Sequence, residues 1–284
     1  MAAAIVLVIG SAVATAAGAQ PLTGQVQTIT VARGDTLGSL GSRFGIDPAT
    51  LAGDNGRAPG LSLHAGETLT VDNRHIVPLF AAGLGIVVNV PQRMLFVARQ
   101  GGATGYPVAV GRPSWPTPLG SFSIATKETN PTWDVPQSIR AEALRAGRSL
   151  PLKVPPGPGN PLGARWMGLS GGGVGIHGTN APGSVYKATT HGCIRLHPED
   201  IAAVFAQMEV GVRGALLYQP ILVAVDAGRV FVEAHRDAYG RGPADAMDFV
   251  QVRARELGVF DRVDWDLVAQ VIEQRAGVAR VVTR

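Results

Sequence analysis

The sequence predicts a mostly-β protein: a β-sandwich or barrel-like domain with a Cys-His site, a small βααβ unit before it, and a β-hairpin and helical tail after it. Short β-rich segments separated by Gly and Pro predict the main domain. A strand-helix-helix-strand order in residues 27–72 predicts the small unit. With 46% hydrophobic and 16% charged residues, the chain of 284 can bury a sizeable core.

Composition excludes several classes of protein. The single cysteine, Cys193, rules out an intramolecular disulfide framework and a zinc site built from several thiolates. The formal charge of +4 is modest, and no dense run of Lys and Arg accompanies it. We therefore expect no nucleic-acid partner, whereas an anionic polymer remains compatible with the charge.

The first segment indicates export. Residues 1–19 contain an apolar run and end in the small residues Ala17, Gly18 and Ala19, which is the pattern of a signal peptide. No Lys or Arg precedes the apolar run, so an uncleaved anchor is the alternative to a mature start at Gln20. Either outcome predicts an extracytoplasmic location.

Residues 27–72 form the front unit. Strands are expected at Thr28–Val31 and Glu67–Val71, and helices begin near Leu37 and Pro48, with Thr36 or Asp35 as a cap. The unit resembles the LysM module in its stretch from Thr30 to Leu37 and its return at residues 65–69. That resemblance implies binding to N-acetylglucosamine-containing glycan; the alternative is a spacer that has lost this activity.

A linker at residues 72–83 leads into the main domain, predicted at 84–218, and a C-terminal extension at 219–284. Because this linker separates the front unit from the chemistry, we expect the unit to act as a tethered module. Hydrophobic alternation and turn signals predict the following elements: strands at 86–90, 94–97, 106–110, 121–124 and 215–218, helices at 138–145 and 199–208, a hairpin at 221–225 and 230–233, and helices at 244–257 and 267–275.

The candidate chemistry lies between His177 and His197. A cysteine nucleophile needs a base that takes its proton, and both His177 and His191 are near Cys193 in this segment. Gly192 allows a tight turn in which backbone N–H groups can face an attacked carbonyl. Spacing alone does not decide which histidine is the base.

This segment resembles the L,D-transpeptidase family, the YkuD-type catalytic domain, and most closely its periplasmic Gram-negative members with a LysM module. The matching residues are His177, Thr190, His191, Gly192, Cys193 and Arg195, together with the proline-rich stretches 116–120 and 154–163. The resemblance implies the following roles for them and their neighbours: Cys193 as nucleophile, His177 as base oriented by the carbonyl of Gly178, His191 lining the acyl site, the N–H groups of Gly192 and Cys193 as oxyanion hole, and Arg195, Thr190, Asn180 and Trp133 as substrate-binding residues.

The resemblance further implies a peptidoglycan transpeptidase that needs no cofactor and that carbapenems acylate. Its acceptor would be the diamino acid of another stem peptide or a lysine of an envelope lipoprotein. An L,D-carboxypeptidase and a non-catalytic peptidoglycan-binding scaffold are the alternatives.

A zinc site from Cys193 and the histidines at 177, 191 and 197 is disfavoured, because ligands this close rarely form structural sites. We expect His64, His75 and His235 at the surface. Trp133 and Trp166 are candidates for the lining of a sugar or peptide groove, with core packing as the favoured alternative for each.

Overall fold

The computed structural model describes residues 21–79 and 83–284, so the predicted signal peptide at 1–19 lies outside the described residues. The front of the chain forms β1 (Leu22–Thr23), β2 (Val26–Thr30), α1 (Leu37–Phe44), α2 (Pro48–Asp54) and β3 (Thr68–Asp72). Strands β2 and β3 pair in antiparallel register. The predicted βααβ order is confirmed.

Local chemistry sets the bounds of α1. The Thr36 side chain accepts from the Ser39 N–H at 3.0 Å, and the Ser39 hydroxyl accepts from the Thr36 N–H at 2.9 Å. This reciprocal cap satisfies two N–H groups that the helix leaves free at its start. Gly45, with φ 71°, ends the helix in the left-handed region that favours glycine.

The middle of the chain is mostly strand, which confirms the predicted fold class. Its elements, in chain order, are β4 (His75–Ile76), β5 (Ile86–Asn89), β6 (Met94–Arg99), β7 (Gly102–Pro107), β8 (Val110–Gly111), β9 (Gly120–Thr129), β10 (Trp133–Asp134), α3 (Gln137–Arg145), β11 (Lys153–Val154), β12 (Arg165–Leu169), β13 (Gly175–His177), β14 (Ala188–Thr190), β15 (Ile194–Arg195), α4 (Pro198–Gln207) and β16 (Arg213–Leu217). Strands β12 and β13 were not predicted, because both contain glycine and neither alternates clearly.

Eight strands form one curled sheet in the order β15-β13-β12-β9-β16-β5-β6-β7. The segment that follows edge strand β7 returns to the opposite edge, β15: Ala109 and Arg195 exchange two backbone hydrogen bonds of 2.8 and 3.0 Å. This contact gives the sheet its barrel-like shape. Its concave face is filled by buried aliphatic residues, among them Ile86, Leu95 and Ile176.

The C-terminal extension forms β17 (Ile221–Asp226), β18 (Arg229–Ala234), α5 (Ala246–Glu256), α6 (Trp265–Gln274) and β19 (Arg280–Val281). The predicted hairpin and helical tail are confirmed. Valines from both helices and from the hairpin form a separate core. No helix in residues 21–79 or 83–284 has the length and apolarity needed to span a bilayer.

The front unit is packed against the rest of the chain, so the expectation of a tethered module is wrong. The Ser42 hydroxyl on α1 lies 3.0 Å from Nε2 of His197, which immediately precedes α4. Arg93 forms an ion pair with Asp47 at 2.9 Å. Val278 of the extension is fully buried within the hydrophobic core of the front unit. The sequence cannot show such contacts, because the partners come from distant parts of the chain.

Two of the histidines predicted at the surface are buried: His75 is 1% exposed and His235 is 4% exposed. Both bind Oε1 of Glu233, His75 through Nδ1 at 2.7 Å and His235 through Nε2 at 2.8 Å. Gln92 donates to the same oxygen at 3.0 Å, and His75 Nε2 lies 3.0 Å from the Gly45 carbonyl. We call His75, Gln92, Glu233 and His235 the polar junction, since it joins the front unit, the sheet domain and the extension.

Candidate active site

Cys193 and His177 lie on neighbouring strands. Strand β15 pairs in parallel with β13, with Ile194 opposite Ile176 and Arg195 opposite His177. Both isoleucines are buried in the core, so the residues that alternate with them point to the opposite face of the sheet. Cys193 immediately precedes β15 and alternates with Ile194. We call Cys193, His177 and Arg195 the reactive face.

The reactive face lines a cavity of about 720 Å³. Three tryptophans, Trp115, Trp133 and Trp166, also line it, together with His191 and Thr190. Trp166 was expected in the core. Instead its ring stacks on that of His177 at a centroid distance of 5.8 Å, because the two residues are cross-strand partners in β12 and β13.

His177 is held as a neutral base. Its side chain is 3% exposed, and Nδ1 lies 2.7 Å from the Gly178 carbonyl oxygen. Because a carbonyl only accepts, Nδ1 carries the proton and Nε2 keeps a free lone pair. Burial, followed by the nearby charge of Arg195, lowers the pKa of His177 to about 3.

The thiol is also neutral at rest. Burial raises the pKa of Cys193, while a backbone hydrogen bond from Gly175 and the charge of Arg195 act in the opposite direction. A thiol with a raised pKa beside an imidazole with a lowered pKa does not form a stable ion pair at neutral pH. The proton must therefore move as the sulfur attacks.

A tight turn precedes the cysteine. Gly192 has φ 101°, which an L side chain rarely adopts. The buried Thr190 hydroxyl donates to the Cys193 carbonyl at 2.6 Å and accepts from the Gly192 N–H at 3.2 Å. The Thr190 hydroxyl thus shapes the turn. The Gly192 N–H could act as an oxyanion donor only if its hydrogen bond to the Thr190 hydroxyl broke. The Cys193 N–H forms no such bond with Thr190.

Sequence reasoning missed the partners of His191. Its Nε2 lies 2.7 Å from Oε2 of Glu142 on α3, and Arg112 binds the same carboxylate at 2.6 Å. Hydrogen bonds from Arg112 and His191 lower the pKa of Glu142 to about 2. Trp115 meets the His191 ring edge-on at 5.1 Å. No local signal could have identified these partners, since Glu142 precedes His191 by 49 residues.

The remaining predicted substrate-binding residues differ in whether they line the cavity and in what they contact. Trp133 on β10 is half-buried and lines the cavity, so the favoured core packing is wrong for it and its place fits the predicted substrate-binding role. Asn180 is exposed and donates to the Pro158 carbonyl at 3.3 Å; it is not among the described residues that line the cavity. The Arg195 guanidinium donates to the Ser184 hydroxyl at 3.0 Å, but its Nε is buried without a hydrogen-bond partner. Among the described residues, no carboxylate forms an ion pair with it.

Comparison with known proteins decides the family. A model described as the L,D-transpeptidase catalytic domain (YkuD) matches residues 84–223, and a LysM domain model matches residues 29–72. The probable L,D-transpeptidase ErfK/SrfK of Salmonella typhimurium is 31% identical over 274 residues, which cover 90% of this chain and 86% of that protein. This chain belongs to the L,D-transpeptidase family.

Other L,D-transpeptidases are similar over shorter stretches. The probable L,D-transpeptidase YbiS of Escherichia coli is 30% identical, over 75% of this chain and 71% of that protein. A solved L,D-transpeptidase from Mycobacterium smegmatis is 24% identical, covers 46% of this chain and 57% of that one, and aligns with a TM-score of 0.37. The reactive face of this L,D-transpeptidase lies wholly within the stretch matched by the catalytic-domain model.

Proposed function

We propose that this L,D-transpeptidase forms a thioester on Cys193 with a peptidoglycan stem peptide and transfers the acyl group to an amine. One observation carries the proposal: Cys193, His177 and Arg195 share one face of the sheet and line a single cavity. Cys193 supplies a nucleophile and His177 a neutral base. Arg195 supplies a cation that has no carboxylate partner among the described residues. These groups suit acyl transfer from an anionic peptide.

In the acylation step, Cys193 Sγ attacks the carbonyl at the L-centre of the third stem residue while His177 Nε2 takes the thiol proton. The developing oxyanion is stabilised by the Cys193 N–H. The C–N bond to the terminal D-Ala then breaks, and His177 returns its proton to the departing amine. The neutral resting pair is compatible with this sequence, because neutral His177 has a lone pair on Nε2 that can take the thiol proton as the sulfur attacks.

In the second step, an acceptor amine attacks the thioester. His177 again takes a proton, now from the amine, and the thiol is regenerated when the C–S bond breaks. The acceptor in this proposal is the side-chain amine of another stem or a lysine of an envelope lipoprotein. If water attacks instead, the same residues give an L,D-carboxypeptidase.

Arg195 is proposed to bind a substrate carboxylate. Burial removes the Arg195 guanidinium from water and lowers its pKa. No acidic side chain among the described residues pairs with it to offset this loss of solvation. A substrate carboxylate within the cavity would supply the missing charge and the missing acceptor for Nε. The proposed walls that contact the stem peptide are Trp133 and His191, whose Nε2 lies 2.7 Å from the Glu142 carboxylate.

The front unit is proposed to bind glycan, and the protein to work in the extracytoplasmic space, the periplasm of a Gram-negative cell. The match to the LysM model supports glycan binding. Gly34 and Thr36 are exposed and available for it, whereas Asp54 forms an ion pair with Arg280 of the extension at 2.7 Å. Export rests on the signal-like sequence at 1–19.

Mass spectrometry of purified tetrapeptide muropeptides, incubated with the full protein, tests the proposal. A cross-linked dimer with release of D-Ala is expected, and none should form with Cys193→Ala. Addition of a lipoprotein peptide tests the second acceptor as a separate product. Shortened stems alone would identify a carboxypeptidase, and unchanged stems would identify a scaffold.

A further inference from the structure

The C-terminal extension reaches the catalytic domain through Tyr239. This residue follows β18, and its ring packs against the catalytic core. It stacks on Tyr218 at a centroid distance of 5.2 Å. The Tyr218 hydroxyl accepts from the Tyr239 N–H at 2.7 Å and donates to Asp237 at 2.6 Å. Both the ring and the backbone of Tyr239 are therefore fixed.

The Tyr239 hydroxyl closes a loop beside the cavity. It donates to the Gly111 carbonyl at 2.5 Å and accepts from the Thr117 N–H at 3.1 Å. These two backbone groups are the ends of loop 111–117, so one phenol hydroxyl replaces a direct hydrogen bond between them. The same loop carries Arg112 and Trp115, the neighbours of His191.

Thr117 continues the hydrogen bonds toward the nucleophile. Its side chain is buried; Oγ1 accepts from the Gly111 N–H at 2.9 Å and donates to the Gly192 carbonyl at 3.0 Å. The Gly192 carbonyl and the Cys193 N–H belong to one peptide unit, and the described peptide bonds are trans. In a trans peptide these groups point in opposite directions, so Thr117 sets the direction of the Cys193 N–H.

We propose that Tyr239 is a positioning residue for the oxyanion site: through Thr117 it aligns the Cys193 N–H with the carbonyl that the thiol attacks. This inference rests on the proposed acyl-enzyme function. A donor in an oxyanion site stabilises only a transition state in which charge develops on oxygen, and its alignment matters because hydrogen bonds weaken steeply with angle. Tyr239 is not among the described residues that line the cavity, so it would act through Thr117 rather than on the reacting atoms.

Two reactions of the same thiol distinguish this role from general support. Acylation by a carbapenem forms an S–C bond to the lactam carbonyl, breaks the ring C–N bond and moves the thiol proton to the ring nitrogen. That reaction passes through an oxyanion. Alkylation by iodoacetamide displaces iodide at an sp³ carbon and passes through none. Loss of oxyanion alignment should slow only the first reaction.

The experiment uses the full chain as wild type, Tyr239→Phe, Thr117→Val and Thr117→Ser, with Tyr106→Phe as matched control. Tyr106 is another tyrosine packed on the same core, and within the described part of the chain its hydroxyl forms no hydrogen bond with loop 111–117. Intact mass measures both rates. Tyr239→Phe and Thr117→Val should slow acylation about tenfold and leave alkylation within about twofold. Thr117→Ser, which keeps the hydroxyl, and Tyr106→Phe should leave both rates near wild type.

The double variant Tyr239→Phe/Thr117→Val should be no slower than Thr117→Val, since both changes break one series of hydrogen bonds. Equal slowing of acylation and alkylation, or no slowing of either, would overturn the inference. If Tyr239→Phe fails to fold, Tyr218→Phe, which loses the hydroxyl that accepts from the Tyr239 N–H, replaces it and should likewise slow acylation alone. A wild-type protein that is alkylated but never acylated would instead overturn the proposed function, and this inference with it.

Discussion

Two buried histidines, His177 on the reactive face and His75 in the polar junction, differ in what their nitrogens face. Nδ1 of His177 lies 2.7 Å from the Gly178 carbonyl, the Leu162 backbone also acts on the ring, and the charge nearby is that of Arg195. His75 lies between a carbonyl and a carboxylate, and each of its nitrogens is within hydrogen-bond distance of one of them. Burial alone therefore does not set the role of a histidine. Its partners do: His177 can accept a proton, whereas both nitrogens of His75 are already engaged.

The largest effect is expected from the reactive face. Cys193→Ala should abolish carbapenem acylation, and His177→Ala should slow it by at least about 10³-fold, since nucleophile and base act as one unit. Intact mass measures the adduct, and near-wild-type thermal unfolding of His177→Ala would place the loss in chemistry. Acylation of His177→Ala at a rate near that of the wild type would contradict the pairing of these residues.

The polar junction should show the reverse behaviour. Glu233→Gln removes the carboxylate that both histidines bind, and breaking a buried charged pair typically costs about 3–5 kcal/mol. We expect a large fall in the free energy of unfolding, measured by urea denaturation, with acylation of the folded fraction unchanged. Glu209→Gln, whose side chain is 80% exposed, is the matched control. Unchanged stability in Glu233→Gln would remove the contrast between the two sites.

A smaller effect is expected where the front unit meets α4. Ser42→Ala removes the hydroxyl that lies beside His197 and also donates to the Val185 carbonyl at 3.2 Å. The loss should be about 1 kcal/mol of unfolding free energy, as for an ordinary buried hydrogen bond. Ser39→Ala, at a half-buried residue, tests only the α1 cap and serves as comparison. A Ser42→Ala protein as stable as wild type would show that this contact contributes little.

The smallest change is expected in the pH profile of acylation. The pKa of His177 falls from 6.5 to about 3 on folding, and that of Cys193 is raised, so neither group changes charge between pH 5 and 7. The acylation rate at pH 5 should be within about twofold of that at pH 7. A steep fall near pH 6.5 would contradict a neutral base held by burial.

Stability should nevertheless decline with acid. The folded pKa of His177 is below its unfolded value, so the unfolded state binds more protons below pH 6.5 and stability falls there. For Glu233, burial alone would raise the pKa, but His75 and His235 hold it at about 2, so its contribution is lost as pH falls from about 4.5 toward 2. Urea denaturation between pH 7 and 3 measures both declines.

Prediction from sequence succeeded where the deciding contacts are local. The α1 cap needs only Thr36 and Ser39, three residues apart, and the helix stop needs only Gly45. The hairpin of β17 and β18 follows from alternation on either side of a short turn. Prediction from sequence failed for the burial of His75 and His235, because Glu233 and the surrounding packing come from other parts of the chain.

The sequence by itself determined the mostly-β class, the βααβ front unit and the family motif around Cys193, since these depend on residue periodicity, turn chemistry and a short run of residues. Only the tertiary structure decided that His191 pairs with Glu142, that the front unit is packed rather than tethered, and that Tyr239 reaches loop 111–117. The physical reason is directional: each of these contacts needs a donor and an acceptor brought within about 3 Å and aligned, and only the packed chain fixes both conditions.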